Sequence, residues 1–171
     1  MNLLVIGSGG REHSICYKLR QSSRVKKLFC MPGNAGTKKI ADNISQDISN
    51  FEEVYKIIKK NEVDIVIIGP EEPLVKGITD FLEKKLVKVL GPNKFAAQLE
   101  GSKAFMKNLC KKNNIPTANF GIFEKFNEAE KFIEKAQVPI VVKADGLAAG
   151  KGVMICGSKE EALNETKKIL N

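Results

Sequence analysis

The sequence predicts an α/β protein, with an N-terminal doubly wound parallel sheet followed by a smaller α+β unit. Three observations support this prediction. Short apolar runs alternate with helical patterns over the first part of the chain, polar glycine-rich loops follow those runs, and two later apolar runs enclose a segment rich in lysine and glycine. Alternation of strands and helices is typical of parallel sheets, whose ligands bind beyond the carboxyl ends of the strands.

The predicted strands of the first unit are continuous apolar runs, as expected where both faces of a sheet are covered. They comprise residues 3–6, 28–31, 65–68 and 87–90. Apolar side chains at helical spacing predict three helices, over residues 11–21, 51–60 and 78–86. Asn50 and Glu53 predict a capping box at the start of the second helix.

A Gly-Pro break at residues 91–92 ends this unit, so we place the first domain at residues 1–92. Residues 93–117 are predicted to be a helical connector with a helix over 102–113. The remaining unit, residues 118–171, has predicted strands over 118–123, 140–144 and 153–156. Two further helices are predicted, one over 128–136 capped by Asn127 with Glu130, and one capped by Ser158 with Glu161.

The composition limits the classes of function. The 171-residue chain has a net charge of +8, which arises almost wholly from lysine and favours anionic small molecules as ligands. Only 6% of the residues are aromatic and none is tryptophan, which disfavours nucleic acid as the main partner.

The chain also lacks the marks of a membrane or secreted protein. No apolar run approaches the roughly 20 residues that span a bilayer, and the N-terminus lacks the basic start of a signal peptide. We therefore expect a soluble, cytoplasmic protein without a membrane partner. The four cysteines have no C-x-x-C spacing and there is one histidine, so we predict reduced, mostly buried thiols rather than a zinc site or disulfides.

Residues 141–152 place Lys143 near the end of an apolar strand and follow it with a small-residue loop that carries Lys151. Backbone N–H groups can approach phosphate oxygens where the loop has glycine, at Gly146, Gly150 and Gly152. The spacing differs from Walker A, because Asp145 stands where that motif needs its first glycine. An ordinary hairpin turn would explain the glycines but not the flanking lysines, so the segment predicts polyphosphate binding.

Residues 7–13, Gly-Ser-Gly-Gly-Arg-Glu-His, follow the first predicted strand and open the first helix. A dinucleotide fingerprint would lie here, but Glu12 takes the place of its third glycine and no acidic residue ends the second strand. NAD binding is therefore disfavoured. The helix N-terminus and the Arg11 guanidinium still suit an anion such as phosphate. His13 would either contact the ligand or serve as a structural residue.

Two more loops, residues 32–37 and 69–74, follow the second and third predicted strands. Carboxyl ends of parallel strands share one edge of a sheet, so we expect these loops to open beside residues 7–13. Proline and glycine also punctuate ordinary turns. Three polar, glycine-rich loops at consecutive strand ends nevertheless favour a small-molecule site, in which the Glu71 carboxylate suits ribose hydroxyls or an amine.

With these motifs assembled, the whole chain resembles the phosphoribosylamine-glycine ligases, also called glycinamide ribonucleotide synthetases, a family of ATP-grasp enzymes in purine biosynthesis. The matching segments occur in family order at 7–13, 32–37, 69–77, 98–105 and 143–152. Five motifs in order are highly specific, whereas any one glycine loop is not.

The resemblance implies an N-terminal pre-ATP-grasp, Rossmann-like domain that binds phosphoribosylamine, and then part of an ATP-grasp nucleotide-binding subdomain at residues 118–171. ATP would phosphorylate glycine, and the amine of 5-phosphoribosylamine would attack the glycyl phosphate to give glycinamide ribonucleotide, ADP and phosphate. Residues 145–152 would close over ATP as a lid. The residues implied for phosphoribosylamine are Gly9, Gly10, Arg11, Asn34, Gly36, Thr37 and Glu71. Those implied for the nucleotide are Lys103, Lys143, Asp145, Gly146, Gly150, Lys151 and Gly152.

Members of the family are much longer, and the resemblance implies that the Mg²⁺ ligands lie outside this chain. We therefore assign no metal ligand and no catalytic residue to it. We expect a truncated N-terminal portion that is inactive alone, unless a separate chain completes the ATP-grasp site. The alternative is a non-catalytic module that binds a phosphosugar or a nucleotide.

Overall fold

A computed structural model describes residues 1–148 and 152–170. The chain divides into two compact units, Met1–Gln98 and Leu99–Asn171. In the described residues, no helix is both long and apolar enough to cross a membrane.

The first unit is built on a five-stranded sheet in which every strand pair is parallel. Its strands are β1 (Asn2–Gly7), β2 (Lys27–Pro32), β3 (Asp42–Asn43), β4 (Ile65–Ile68) and β5 (Lys88–Leu90). The spatial order is β3-β2-β1-β4-β5. The four predicted strands are confirmed, and the two-residue β3 was not predicted because it is too short to show an apolar period.

Helices connect these strands. They are α1 (Gly10–Arg20), α2 (Phe51–Lys60), α3 (Glu71–Lys76), α4 (Ile78–Lys84) and α5 (Lys94–Gly101), with a short 3-10 helix at Thr37–Lys39. The predicted helices correspond to α1, α2 and α4. Asn50 caps α2, since its side chain accepts a hydrogen bond of 3.2 Å from the Glu53 N–H. The Glu53 carboxylate bonds Lys56 at 2.7 Å.

The two faces of the sheet are covered by different helices. Leu4 and Ile6 of β1 lie in a buried cluster with residues of α2 and α4, whereas Leu3 and Val5 lie in a second cluster with Cys16 of α1. Side chains alternate between the faces of a strand, so the clusters occupy opposite faces. The sheet is therefore doubly wound, as predicted. Burial of each large apolar side chain stabilises the fold by about 1.5–3 kcal/mol.

The strand order positions the site. The chain runs outward from β1 to β2 and β3, then returns to place β4 on the other side of β1. Loops that leave β1 and β4 thus diverge to opposite sides and leave a crevice beyond the strand ends. Parallel α/β sheets bind their ligands at such a switch point.

The second unit contains an antiparallel pair of strands and helices. Its elements are α6 (Lys103–Lys112), α7 (Phe126–Lys135), β6 (Ile140–Lys143), β7 (Val153–Cys156) and α8 (Lys159–Leu170). Its buried cluster contains Ile133 of α7, Cys156 of β7 and Ala162 of α8. The prediction of α6 and of both hairpin strands is confirmed.

The predicted strand over 118–123 is wrong, because those residues are irregular. They are instead tied down by side chains: Lys107 of α6 donates to Thr117 Oγ1 and to the Ala118 carbonyl, and the rings of Phe123 and Phe132 lie 5.2 Å apart. An isolated apolar run with no hydrogen-bonding partner strand does not form a ladder.

The predicted caps of the last two helices have different outcomes. The Asn127 cap is wrong, because α7 begins at Phe126 after Lys125 and has no side-chain cap, so Asn127 is already helical. The Ser158 cap is confirmed: its hydroxyl accepts the Glu161 N–H at 3.1 Å. The Glu161 carboxylate in turn accepts the Gly157 N–H at 2.8 Å. The cysteines are free thiols, and Cys110 alone among the four is not buried.

Candidate functional site

The loop after β1 turns the chain sharply into α1. Gly7 has a φ of +128°, a left-handed backbone that side chains disfavour. Gly9 is the N-cap of α1, and its N–H donates to the Glu12 carboxylate at 2.6 Å. Glu12 is only 4% exposed. In the sequence, Glu12 stands out only because it replaces a fingerprint glycine. A Glu at the third helical position that accepts the N-cap N–H is a capping pattern, which could have indicated its role.

The stem of Glu12 fills the space between the ends of β1 and β4. A Cβ on Gly7 would lie 2.6 Å from Glu12 Cδ, and so would a Cβ on Gly69. Atoms cannot approach so closely, so a side chain at either position would have to displace Glu12. Gly7 and Gly69 are neighbours across the sheet, since Ile6 pairs with Ile68.

Arg11 joins the N-terminus of α1 to that of α3. Its guanidinium donates to the Gly69 carbonyl and forms an ion pair of 2.8 Å with Glu71 Oε1. Both side chains are partly exposed, at 58% and 39%, so the pair contributes at most about 1 kcal/mol. The backbone N–H of Glu71 itself, and then the Arg11 guanidinium, lower the pKa of the Glu71 carboxyl. Glu71 is therefore a carboxylate at neutral pH.

Asn34 holds the loop after β2 against the loop after β1. Its amide donates to the carbonyl oxygens of Ser8 at 2.8 Å and Gly9 at 3.4 Å. Its side-chain oxygen accepts the N–H groups of Gly36 at 2.7 Å and Thr37 at 2.9 Å. The side chain thus uses its two donors and its acceptor within the loops, which makes it an organising group of the site.

Thr37 and Gly36 complete this arrangement. The fully buried Thr37 hydroxyl accepts the Asn34 N–H at 2.7 Å and lies 2.9 Å from Asn43 Oδ1. A Cβ on Gly36 would lie 2.9 Å from the imidazole of His13. His13 therefore packs against the backbone of the loop after β2.

These loops enclose a crevice of about 530 Å³ at the carboxyl end of the sheet. It is lined by Gly7, Ser8, Gly9, Gly10, Arg11, Glu12, Pro32, Gln46, Asp47, Ile48, Pro70 and Glu71. Residues 46–48 were missed in the sequence, since no glycine or motif marks the segment after the short β3. Hydrogen bonds from the Ser49 hydroxyl and N–H lower the pKa of Asp47. The lining therefore combines one guanidinium with carboxylates.

In the second unit, the loop after β6 is fastened to the start of α6. Lys103 Nζ donates to the Gly146 carbonyl at 2.6 Å. The Asp145 carboxylate accepts the Ser102 hydroxyl at 2.9 Å and the Ala104 N–H at 3.2 Å. Burial raises the pKa of Asp145, but the hydrogen bonds from Ala104 and Ser102 outweigh it and the net shift is downward.

Lys143 ends β6, opposite Val153 of β7, and its side chain is exposed. Gly146 has a φ of +88°, and a Cβ on Gly152 would lie 2.6 Å from Ala148 Cβ. Both positions thus need glycine, the first for its backbone and the second for space. The predicted nucleotide residues Gly150 and Lys151 lie outside the described residues.

Comparison with protein families identifies the class. Residues 1–100 match the family described as "Phosphoribosylglycinamide synthetase, N domain", and residues 101–171 match "Phosphoribosylglycinamide synthetase, ATP-grasp (A) domain". The fold is therefore that of an ATP-grasp synthetase. The chain belongs to the phosphoribosylglycinamide synthetase family, which confirms the resemblance found in the sequence.

Individual relatives agree. A phosphoribosylamine-glycine ligase of Caldanaerobacter subterraneus subsp. tengcongensis is 48% identical over 91% of this chain and 37% of its own length. One of Halalkalibacterium halodurans is 43% identical over 100% of this chain and 40% of its own length. The chain thus spans about two fifths of the relatives it matches.

Solved structures show the same fold. The crystal structure of phosphoribosylamine-glycine ligase from Thermotoga maritima has a TM-score of 0.80 and 37% identity, covering 98% of this chain and 39% of that one. The structure of N5-carboxyaminoimidazole ribonucleotide synthetase from Thermus thermophilus has a TM-score of 0.73 and 16% identity, covering 98% of this chain and 44% of that one. The second likeness concerns the fold alone.

Proposed function

We propose that this chain supplies the phosphosugar site and part of the nucleotide site of an ATP-dependent ligase that joins glycine to 5-phosphoribosylamine. The observation that carries the proposal is the crevice at the β1–β4 switch point, whose lining offers both the Arg11 guanidinium and the Glu71 carboxylate. An amino sugar phosphate has a phosphate that can pair with the guanidinium and an amine that can donate to the carboxylate. The names of the relatives supply the reaction.

The proposed reaction has two steps, phosphorylation of glycine and attack by the amine. A carboxylate oxygen of glycine attacks the γ-phosphorus of ATP, which forms glycyl phosphate and releases ADP. The amine of phosphoribosylamine then attacks the acyl carbon, the bond to the phosphate oxygen breaks, and phosphate leaves with the proton passing to solvent or base. The products are glycinamide ribonucleotide, ADP and phosphate. Positioning and charge stabilisation account for catalysis without a covalent enzyme intermediate.

On the phosphosugar side, each residue has a distinct task. Glu71 accepts hydrogen bonds from ribose hydroxyls or the amine, and Arg11 both orients Glu71 and offers charge to the phosphate. Asn34 holds the loops in place through the hydrogen bonds described above. Gly10 lines the crevice, whereas the N–H groups of Gly9, Gly36 and Thr37 donate to Glu12 and Asn34 and shape the loops around it.

On the nucleotide side, the proposal uses ammonium groups and glycine backbone. Lys103 and Lys143 contact the phosphates, and Lys103 exchanges its Gly146 carbonyl for a phosphate oxygen. The loop of residues 145–152, with Asp145 fastened to α6 and Gly146, Gly150, Lys151 and Gly152 along it, closes over ATP. Closure excludes water from the acyl phosphate, which would otherwise hydrolyse.

Magnesium would neutralise phosphate charge in the complete enzyme. Within residues 1–148 and 152–170, no cluster of three His, Cys, Asp or Glu side chains could hold a metal ion. We therefore assign no magnesium ligand to the described residues, and the resemblance to the family implies that these ligands lie in another part of the enzyme.

Calorimetric titration of the chain with ribose 5-phosphate tests the phosphosugar assignment. We expect saturable binding that weakens about tenfold or more in Glu71→Ala, since a charged hydrogen-bonding partner is lost. Glu72→Ala is the matched control, because Glu72 is exposed, adjacent to Glu71 and paired with Lys76 in the i,i+4 position. Absence of saturable binding by the unaltered chain would overturn the assignment.

A second experiment separates a ligase part from a non-catalytic module. The chain is added to ATP, Mg²⁺, glycine and phosphoribosylamine, alone and together with the remaining portion of a relative. Glycine-dependent ADP release is expected only when both portions are present. Turnover by the chain alone would contradict the magnesium assignment, and binding without turnover in the mixture would favour the module.

A further inference from the structure

Glu12 is a buried acidic residue in the lining of the crevice. It is 4% exposed and accepts the Gly9 N–H at 2.6 Å. Burying a carboxylate costs free energy unless hydrogen bonds compensate. A simple cap of α1 would serve equally well from an exposed side chain, as Asn50 does for α2. The burial of Glu12 therefore requires another explanation.

The contacts of Glu12 with two strand ends provide one. Its carboxylate and Cγ pack against Gly7 at the end of β1 and against Gly69 beyond β4. These glycines flank the switch point, and each begins a loop that the proposed function places on the ligand. Because a Cβ at either position would overlap Glu12, the side chain fits the gap between the two loops closely.

We infer that Glu12 is a positioning residue: it fixes the distance between the loops after β1 and β4 and holds the Gly9 N–H. The inference rests on the proposed function for the identity of the ligand. It assigns Glu12 no contact with the reacting atoms. Arg11 and Glu71, which lie in the first turns of the helices that follow these two loops and pair at 2.8 Å, are the groups whose spacing depends on it.

The first test compares ligand affinity with stability. Glu12→Ala should weaken binding of ribose 5-phosphate about tenfold or more, while Glu12→Gln, which keeps the shape and an acceptor, should stay within about threefold of the unaltered chain. Asn61→Ala is the control, because it removes the side-chain hydrogen bond to the Ile57 carbonyl at the C-terminal end of α2, in the same unit and at the opposite end of the sheet from the crevice. It should lower the melting temperature and leave affinity within about twofold. If the affinity of Glu12→Ala for ribose 5-phosphate lies within about twofold of that of the unaltered chain, the inference is overturned.

The second test uses the overlap at Gly69. Gly69→Ala should weaken binding by itself, because the new methyl group displaces the Glu12 carboxylate. The double variant Glu12→Ala with Gly69→Ala should bind no worse than Glu12→Ala alone, since the overlap is gone. Strictly additive losses would contradict a shared mechanism.

A third readout needs no ligand and therefore separates this inference from the proposed function. In ¹H–¹⁵N spectra of the free chain, Glu12→Ala should move the amide resonances of both Gly9 and Gly69, and Glu12→Gln should largely restore them. Movement of Gly9 alone would reduce Glu12 to a helix cap and overturn the inference. If the unaltered chain fails to bind ribose 5-phosphate, the proposed function is wrong. The amide resonances of Gly9 and Gly69 still decide the role of Glu12 in that case.

Discussion

Lys103 Nζ donates a hydrogen bond of 2.6 Å to the carbonyl oxygen of Gly146. The lysine is the first residue of α6, and the glycine has a left-handed backbone in the loop after β6. A carbonyl is a weak partner for an ammonium group compared with a phosphate oxygen. The contact therefore keeps the Lys103 ammonium group beside the loop that, in the proposed function, closes over the nucleotide.

Lys103→Met should release this loop. Hydrogen bonds to charged groups contribute about 1.5–3 kcal/mol, so amide hydrogen exchange at residues 144–148 should become about ten times faster or more. Mass spectrometry of exchanged peptides measures the effect. Lys107→Met is the matched control, because Lys107 lies on the same helix and contacts residues 117–118 instead. Equal exchange in both variants would show that Lys103 does not hold the loop.

Asn34→Ala should destabilise the first unit by about 1–3 kcal/mol, because it leaves the N–H groups of Gly36 and Thr37 without their acceptor. Urea unfolding followed by circular dichroism gives the free energy of unfolding. Asn113→Ala removes only one exposed hydrogen bond, to the Leu109 carbonyl, and should cost less. A smaller loss for Asn34→Ala than for Asn113→Ala would contradict the organising role of Asn34.

The Asp145 carboxylate should stabilise the second unit in a pH-dependent manner. Its folded pKa lies below the usual aspartate value of 3.8, so the contribution is complete above that value and is lost as the pH falls through the lower folded pKa. The stability difference between the unaltered chain and Asp145→Asn should be constant from neutral pH to about pH 5 and shrink at more acidic pH. A difference that grows on acidification would reverse the sign of the inferred shift.

Thiol labelling should distinguish the cysteines. Cys110 is partly exposed, whereas Cys16, Cys30 and Cys156 are buried. A hydrogen bond between Cys16 and Cys30 raises the pKa of Cys16 and lowers that of Cys30, and burial raises the pKa of Cys156. Cys30 is fully buried, so its lack of exposure keeps it from reacting despite the lowered pKa. One fast-reacting thiol is therefore expected in the folded chain and none in Cys110→Ser. Rapid labelling of several thiols in the folded Cys110→Ser variant would contradict the buried positions.

Local patterns in the sequence determined the elements. The apolar runs at residues 28–31 and 65–68 have strand length and no polar interruption, so they form buried strands in any α/β arrangement. The spacing of α2 and its Asn50 cap are likewise local. The five motifs were enough to indicate the family, because their order and spacing do not depend on knowing the fold.

Only the tertiary structure decided which groups meet. The position of β4 beside β1 brings Gly69 against Glu12 and Glu71 against Arg11, although about sixty residues separate each pair. Residues 46–48 reach the crevice because β3 lies at the sheet edge, and the segment 118–123 stays irregular because no strand pairs with it. Periodicity reports which face of a strand or helix is apolar, whereas contacts between distant residues depend on strand order and on the space that each side chain finds.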